Sequence, residues 1–343
     1  MLWGEQKDGD NTLFSLIKRK KHVSGLTGIS ILSEGIGIAR IMRGTGNVRP
    51  QLALCEFYPT QTAADRRTIL ESVASKNQLA DADCTSLMES SQSSLLLVEA
   101  PEVDPTELKA AVRWRIKDLI DFHIDDAVID VFDIEGQRER GRAKMMYVVV
   151  ARISTVQEHI NLLEDARINL GVIDVAELAQ RNIAALLPED PSGVALLHFS
   201  AGSGLLTLTR QGSLFLARTL EFGTDHLAAA LSESDDELRL EGEEPVLNPA
   251  LARLFDNVVL EVQRSLDYYE SHFGLPPVSG VVLAPTEQPI PGLLGYLANN
   301  LGLPVRTLDL NTVLESDQTL SDTLQAQCLP AIGAALRVEE RAL

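Results

Sequence analysis

The sequence predicts an α/β fold of two lobes, and three observations carry that prediction. A meander of three short apolar strands followed by a helix opens the folded part of the chain, at Gly28–Leu32, Ile36–Arg43, Gln51–Tyr58 and a helix after Asp65. The same order returns about 170 residues later, at Val194–Ser200, Leu205–Arg210, Ser213–Glu221 and Asp225–Leu231, with negligible identity, so a pattern is duplicated. Between the copies Pro188–Ser192 breaks the chain, which sets the lobe boundary there.

Composition narrows the class. A chain of 343 residues with 45% apolar content can fill two cores. The net charge of −19 argues against a broad nucleic-acid surface. Cys55, Cys84 and Cys328 lie apart, in or beside apolar segments, and read as buried thiols in a reducing compartment. No export signal opens the chain, and no apolar run reaches the roughly 20 residues that span a bilayer, so the expectation is a cytoplasmic protein.

Each element then has its reason. Residues 1–24 form a basic leader, in which LFSLIKRKK (13–21) is either a weak peripheral contact with anionic lipid or a solvated terminus. Ile69, Leu70, Val73 and Leu79 give the first helix its apolar side, and Cys84–Met88 returns as a strand. After the polar linker Ser90–Ser94 comes the strand Leu95–Glu99. Asp104, Pro105 and Glu107 have the chemistry of a helix start at N-cap, N1 and N3. Leu108, Ala111, Val112, Ile116, Leu119 and Ile120 recur at helical spacing, and Ala127–Asp133 is a strand. GQRERG (136–141) is a turn and Met145–Ile153 a buried strand. Ser154 and Gln157 suggest a capping box, Gly171 a left-handed stop, and a further helix runs to Leu187. In the second lobe 233–244 is an acidic loop. A helix from Asn248 to Phe273 buries Leu254, Val258, Val262, Leu266 and Tyr269. Val278–Leu283, a helix at Ile290–Leu301 stopped by Gly302, and Val305–Leu308 follow.

Four strings resemble the PilM family, the cytoplasmic actin-like proteins of type IV pilus assembly, and in particular its MSHA-pilus branch. They are DPTELKAAVRWRIKDLIDFHIDDAVIDVF (104–132), EVQRSLDYYESHF (261–273), GVVLAPTEQPIPGLLGYLANNLGLPVRTLDL (280–310) and the closing LPAIGAALR (329–337). The resemblance implies the bilobed actin-like ATPase fold with inserted small subdomains. The first lobe (1A-like) would take 25–90 and 154–190, with a 1C-like insert at 91–153. The second (2A-like) would take 191–223 and 276–343, with a 2B-like part at 224–275. It also implies a groove between 1A and 1C that clasps the cytoplasmic peptide of a PilN-like inner-membrane protein, at the inner face of the bacterial inner membrane and beside other pilus platform subunits. Arg113, Trp114, Arg115 and Lys117 are the candidate contacts on that side. The related GspL-like proteins of type II secretion carry a membrane helix after the actin-like part; none follows here, so a separate soluble subunit is expected.

Such folds hold a nucleotide between the lobes on two meander turns, each with an aspartate for the Mg²⁺, whose hard oxygen ligands are carboxylates and waters. Where the family reads G-I-D-I-G-S, this chain has Gly28-Ile29-Ser30-Ile31-Leu32-Ser33. Where it reads D-I-G-A, the chain has His198-Phe199-Ser200-Ala201. The adenosine-side Gly-Gly corresponds to Ala284-Pro285, and proline lacks an N–H. Neither Glu34 nor Glu287 stands where a lost carboxylate is needed. The remaining histidines, His22, His123, His159, His226 and His272, show no metal-ligand spacing. The expectation is a non-hydrolysing scaffold without a cofactor. The alternative is an active actin-fold ATPase or small-molecule kinase with unusual phosphate motifs.

Overall fold

A computed structural model describes residues 23–42, 49–137, 143–232 and 249–338. The basic leader through His22, the acidic loop at 233–244 and most of the GQRERG turn lie outside these residues.

The meander strands β1 (Val23–Ile31), β2 (Gly35–Met42) and β3 (Gln51–Pro59) pair antiparallel. After helix α1 (Ala63–Lys76), β4 (Ala82–Leu87) joins parallel to β1. The chain then builds a separate unit from β5 (Ser93–Glu99), α2 (Leu108–Ile116), β6 (Ala127–Asp133) and β7 (Met145–Arg152) before α3 (Ile153–Asp165) and β8 (Leu170–Asp174) complete the first sheet. Helix α4 (Ala176–Ala184) leads to the second meander, β9 (Val194–Phe199), β10 (Gly204–Arg210) and β11 (Ser213–Leu220). Then come α5 (Thr224–Ser232), α6 (Pro249–Phe273), β12 (Val281–Leu283), α7 (Leu293–Leu301), β13 (Val305–Thr307), the two-residue β14 (Glu315–Ser316) and α8 (Asp322–Ala335).

The strand orders make the duplication exact in topology. Without its edge strand β14, the first sheet runs β3-β2-β1-β4-β8 and the second β11-β10-β9-β12-β13. In each, three antiparallel strands are followed by two parallel ones. Strand alternation divides the faces. Ile29, Ile31, Ile36 and Ile38 pack outward with Leu70, Val73 and Leu163 of α1 and α3. On the inner side Ala39, Ile41 and Leu52 meet α4, α8 and the second-lobe residues Leu196 and Val282 in one apolar cluster. The two lobes thus share a layer made of α4 and α8.

That layer is tight. A Cβ on Gly28 would lie 2.0 Å from the Ala331 carbonyl oxygen, and one on Gly333 2.4 Å from that of Ala179. Asn182 donates from Nδ2 to the Gly333 oxygen at 2.9 Å. Gln180 donates from Nε2 to the oxygens of Leu196 (2.8 Å) and Leu205 (3.1 Å) and to Thr207 Oγ1 (3.1 Å), so α4 is tied to both neighbours.

The inserted sheet, β5-β7-β6, is covered on both faces. Met146, Val148 and Val150 turn toward Val112 and Ile116 of α2, while Met145 and Tyr147 join the large second-lobe cluster with Phe199 and Phe255.

Several local expectations are corrected. Within 276–343, expected to be 2A-like, β14 pairs with β3 of the first sheet and α8 packs on β1 and β2. Asp104 does not cap α2. The Glu107 N–H bonds the Asp104 carbonyl (2.8 Å) in a preceding turn, so the helix starts at Leu108. Leu119, expected on the apolar face, falls beyond the helix and is 59% exposed. Ser154 does not cap α3, because β7 runs straight into the helix and Ser154 is already inside its first turn. The left-handed reversal after α3 is made by Arg167 (φ 58), not Gly171, which lies in β8. Thr62, rather than Asp65, caps α1, its side chain accepting from the Asp65 N–H. Cys84 and Cys328 are buried as expected, Cys55 only partly.

Candidate functional site: the crevice between the lobes

The candidate site lies at the ends of β1, which packs on α8, and β9, which packs on α4. Ser30 faces the α4–α8 layer: a Cβ on its partner Gly37 would touch Ser30 Oγ at 2.6 Å. Ser30 is fully buried and its hydroxyl has no hydrogen-bond partner. Leu32 ends the strand and donates its N–H to the Gly35 oxygen (2.9 Å), closing the hairpin with Ser33 and Glu34 exposed at its tip.

On the other lobe, alternation puts His198 on the face of β9 shared with Val194 and Leu196, which pack in the interlobe cluster. Burial among protein atoms pushes its pKa down to about 4, so the imidazole is neutral at pH 7. Ser200 is engaged within its own turn. Its N–H and Oγ both donate to the Ser203 oxygen at 2.9 Å, and its carbonyl accepts the Thr224 N–H at 2.8 Å. Gly223 lets α5 come so close that a Cβ there would lie 2.2 Å from the Ser200 oxygen. Ala284 gives its N–H to Leu197 (2.8 Å), and Pro285 has none to give.

Beside Ser30, across the sheet, Leu87 packs with Ala179 and Ala334, so the layer below the first turn is apolar. Two carboxylates near the start of α4 were not singled out in the sequence. Asp174 is 2% exposed and pairs with Arg337 at 2.8 Å, while its other oxygen accepts the Val175 N–H at 2.9 Å. Burial, with Asp174 nearby, raises the pKa of Glu177. A strand-ending acid before an apolar helix, with an arginine after the last helix, carried too little pattern to be noticed.

The partner-peptide candidates lie elsewhere, on the α2 side of the inserted sheet, and the structure gives them unequal roles. Arg113 Nη2 donates to the Ile124 oxygen (2.6 Å) and Arg115 Nη1 to the Glu99 oxygen (3.1 Å), so both brace α2 internally. Trp114 is 74% exposed, with Lys117 Nζ 5.4 Å from its ring centroid. Among the described residues, no group of three or more His, Cys, Asp or Glu could hold a metal, and no helix is long and apolar enough to cross a membrane.

Residues 96–339 match the family described as Type IV pilus assembly protein PilM. The chain belongs to the PilM family. The solved PilM-PilN type IV pilus biogenesis complex shares its fold, with a TM-score of 0.69 at 21% identity over 92% of this chain and 98% of that one. Weaker likenesses are an actin-like ATPase-fold protein of unknown function from Bacteroides thetaiotaomicron (0.47, 8% identity, 89% and 95% covered) and the cytoplasmic domain of EpsL, an inner-membrane component of the type II secretion system of Vibrio cholerae (0.43, 11%, 89% and 92%). No curated protein sequence matches. The actin-like ATPase fold expected from the resemblance is the fold observed, and PilM-family membership makes this a type IV pilus assembly protein.

Proposed function

We propose that this PilM-family protein is a cytoplasmic scaffold of an MSHA-type pilus, a counterpart of MshI. It holds the cytoplasmic peptide of a PilN-like inner-membrane protein at the inner face of that membrane, beside other platform subunits, and its nucleotide crevice is degenerate. The observation that carries the reading is the chemistry of the crevice. Ser30 near the end of β1 and neutral His198 near the end of β9 replace the aspartates of the family motifs they resemble, the layer beside Ser30 is apolar, and Asp174 is already neutralised by Arg337. Magnesium triphosphate needs oxygen ligands and free N–H donors, and these positions offer few. Titration calorimetry with Mg-ATP tests this; no heat of binding is expected at tens of micromolar, and micromolar affinity would overturn it. Glu177 favours the rival reading, an ATPase or kinase with unusual motifs, and measurable phosphate release abolished by Glu177→Gln would establish that rival.

The partner half of the reading is supported by Trp114, since an indole left this exposed is the kind of anchor that interfaces cover. The cytoplasmic peptide of the PilN-like protein is expected to shift Trp114 emission to the blue. Trp114→Ala is expected to weaken binding about tenfold or more; unchanged affinity would move the peptide site off α2.

A further inference from the structure

Cys55 and Cys328 are far apart in sequence but meet in the fold. The bulge in β3 near Ala53 turns Cys55 and Phe57 toward α8, where both pack against the apolar cluster that contains Cys328. Cys328 Sγ donates to the carbonyl oxygen of Glu56, the residue after Cys55, at 3.4 Å, which brings the Cys328 thiol beside the Cys55 segment of β3. Cys328 is fully buried, whereas Cys55 is partly open to solvent. Cys84 is buried in a different cluster, on the outer face of the first sheet.

We propose that Cys55 and Cys328 are a modification site, a thiol pair that a peroxide converts to an intrachain disulfide fastening α8 to the edge of the first sheet. The accessible sulfur reacts first. The Cys55 thiolate attacks one peroxide oxygen, the O–O bond breaks, and a sulfenic acid forms as the other oxygen leaves as water. Cys328 sulfur then attacks the Cys55 sulfur, the S–O bond breaks, and the departing hydroxide takes the Cys328 proton as a second water. Two thiols are oxidised by two electrons and one peroxide is reduced. Cys328 is fully buried while Cys55 is partly open, so Cys328 acts as the resolving thiol rather than the one that meets oxidant; the neighbouring Cys55 and burial also push the Cys328 thiol up. The crosslink would span the N-terminal meander and the C-terminal helix, which also packs on α4, so it would bear on the layer both lobes share.

The test treats the full chain with hydrogen peroxide, denatures it, counts free thiols with a maleimide mass tag and maps the peptides by mass spectrometry. One tagged thiol, Cys84, is expected to remain, with a Cys55–Cys328 linked peptide that dithiothreitol releases. The oxidised chain is expected to melt several degrees higher. Cys55→Ser and Cys328→Ser should each abolish the linked peptide, and Cys84→Ala should leave it. Should Cys328→Ser fail to fold, Cys55→Ser, at a partly exposed position, still decides. A Cys328 that stays taggable after peroxide, or a Cys55 that proceeds to sulfinic acid without the linked peptide, overturns the proposal.

Discussion

His198 and His159 show what a residue in the wrong charge state does to this fold. His159 is buried on α3 with Nε2 2.9 Å from Ser86 Oγ, and burial lowers its pKa; the same cause takes His198 to about 4. Both folded values lie below the free value of 6.5, so folding favours the neutral rings. Their contribution is complete above pH 6.5 and is withdrawn as the pH falls toward the folded values. For His198 that loss falls between pH 6.5 and about 4. Urea midpoints measured across this window should fall, and His198→Asn should flatten the slope; an equal slope in that variant would show the ring to be hydrated. Asp174 makes the complementary case. Asp174→Asn leaves Arg337, 14% exposed and with Nε already unpartnered, facing no countercharge, and should cost about 3 kcal/mol in urea unfolding. Arg67→Ala, which removes the exposed pair with Asp165, should cost less than about 1 kcal/mol. Equal losses in the two would contradict the burial argument.

At the scale of elements, periodicity was readable where one face is buried and one is not. α6 was legible because Val258, Val262, Leu266 and Tyr269 repeat at helical spacing, and β7 because MYVVVA is apolar on both faces, as a sheet covered twice must be. Helix starts were less legible. Side chains able to cap are common, and whether one caps depends on where the preceding strand ends, as at Ser154 after β7 and at Asp104 before a turn. Gly28 serves the packing of the fold, since the space a Cβ would take there is filled by the backbone of α8. Gly28→Ala should therefore force α8 away and cost about 2–3 kcal/mol. Gly295→Ala, in α7 with nothing within 4 Å of the added Cβ, should gain up to about 1 kcal/mol. Denaturant melts of the pair decide this, and a neutral Gly28→Ala would mean that the β1–α8 contact is loose.

At the scale of the whole molecule, the duplicated meander announced two lobes, yet it could not announce that the last helix returns to the first. A pattern read along the chain assigns α8 to its sequence neighbours, whereas Gly28, Gly37 and Gly333 select it as the helix that fits against β1, β2 and α4. The candidate site was half legible for the same reason. Ser30 and His198 could be placed by their motifs, while the Asp174–Arg337 pair needs two segments brought together by that return. The shared layer has a consequence for unfolding. One cluster holds Ile41 and Leu52 of the first sheet, Leu196 and Val282 of the second, and α4 and α8 between them. A second joins the inserted sheet to the second lobe through Met145 and Tyr147. Opening either lobe exposes apolar surface of the other, so the lobes should open together rather than as separate units. Native-state hydrogen exchange is expected to give the central amides of β1, β7 and β9 one common opening free energy, equal to that of global unfolding. A lower value confined to β7 would make the inserted sheet a separate unit, and a lower value confined to β9 would divide the lobes at α4. Gln180→Leu, which leaves the backbone oxygens of Leu196 and Leu205 without its amide, should lower all three values together.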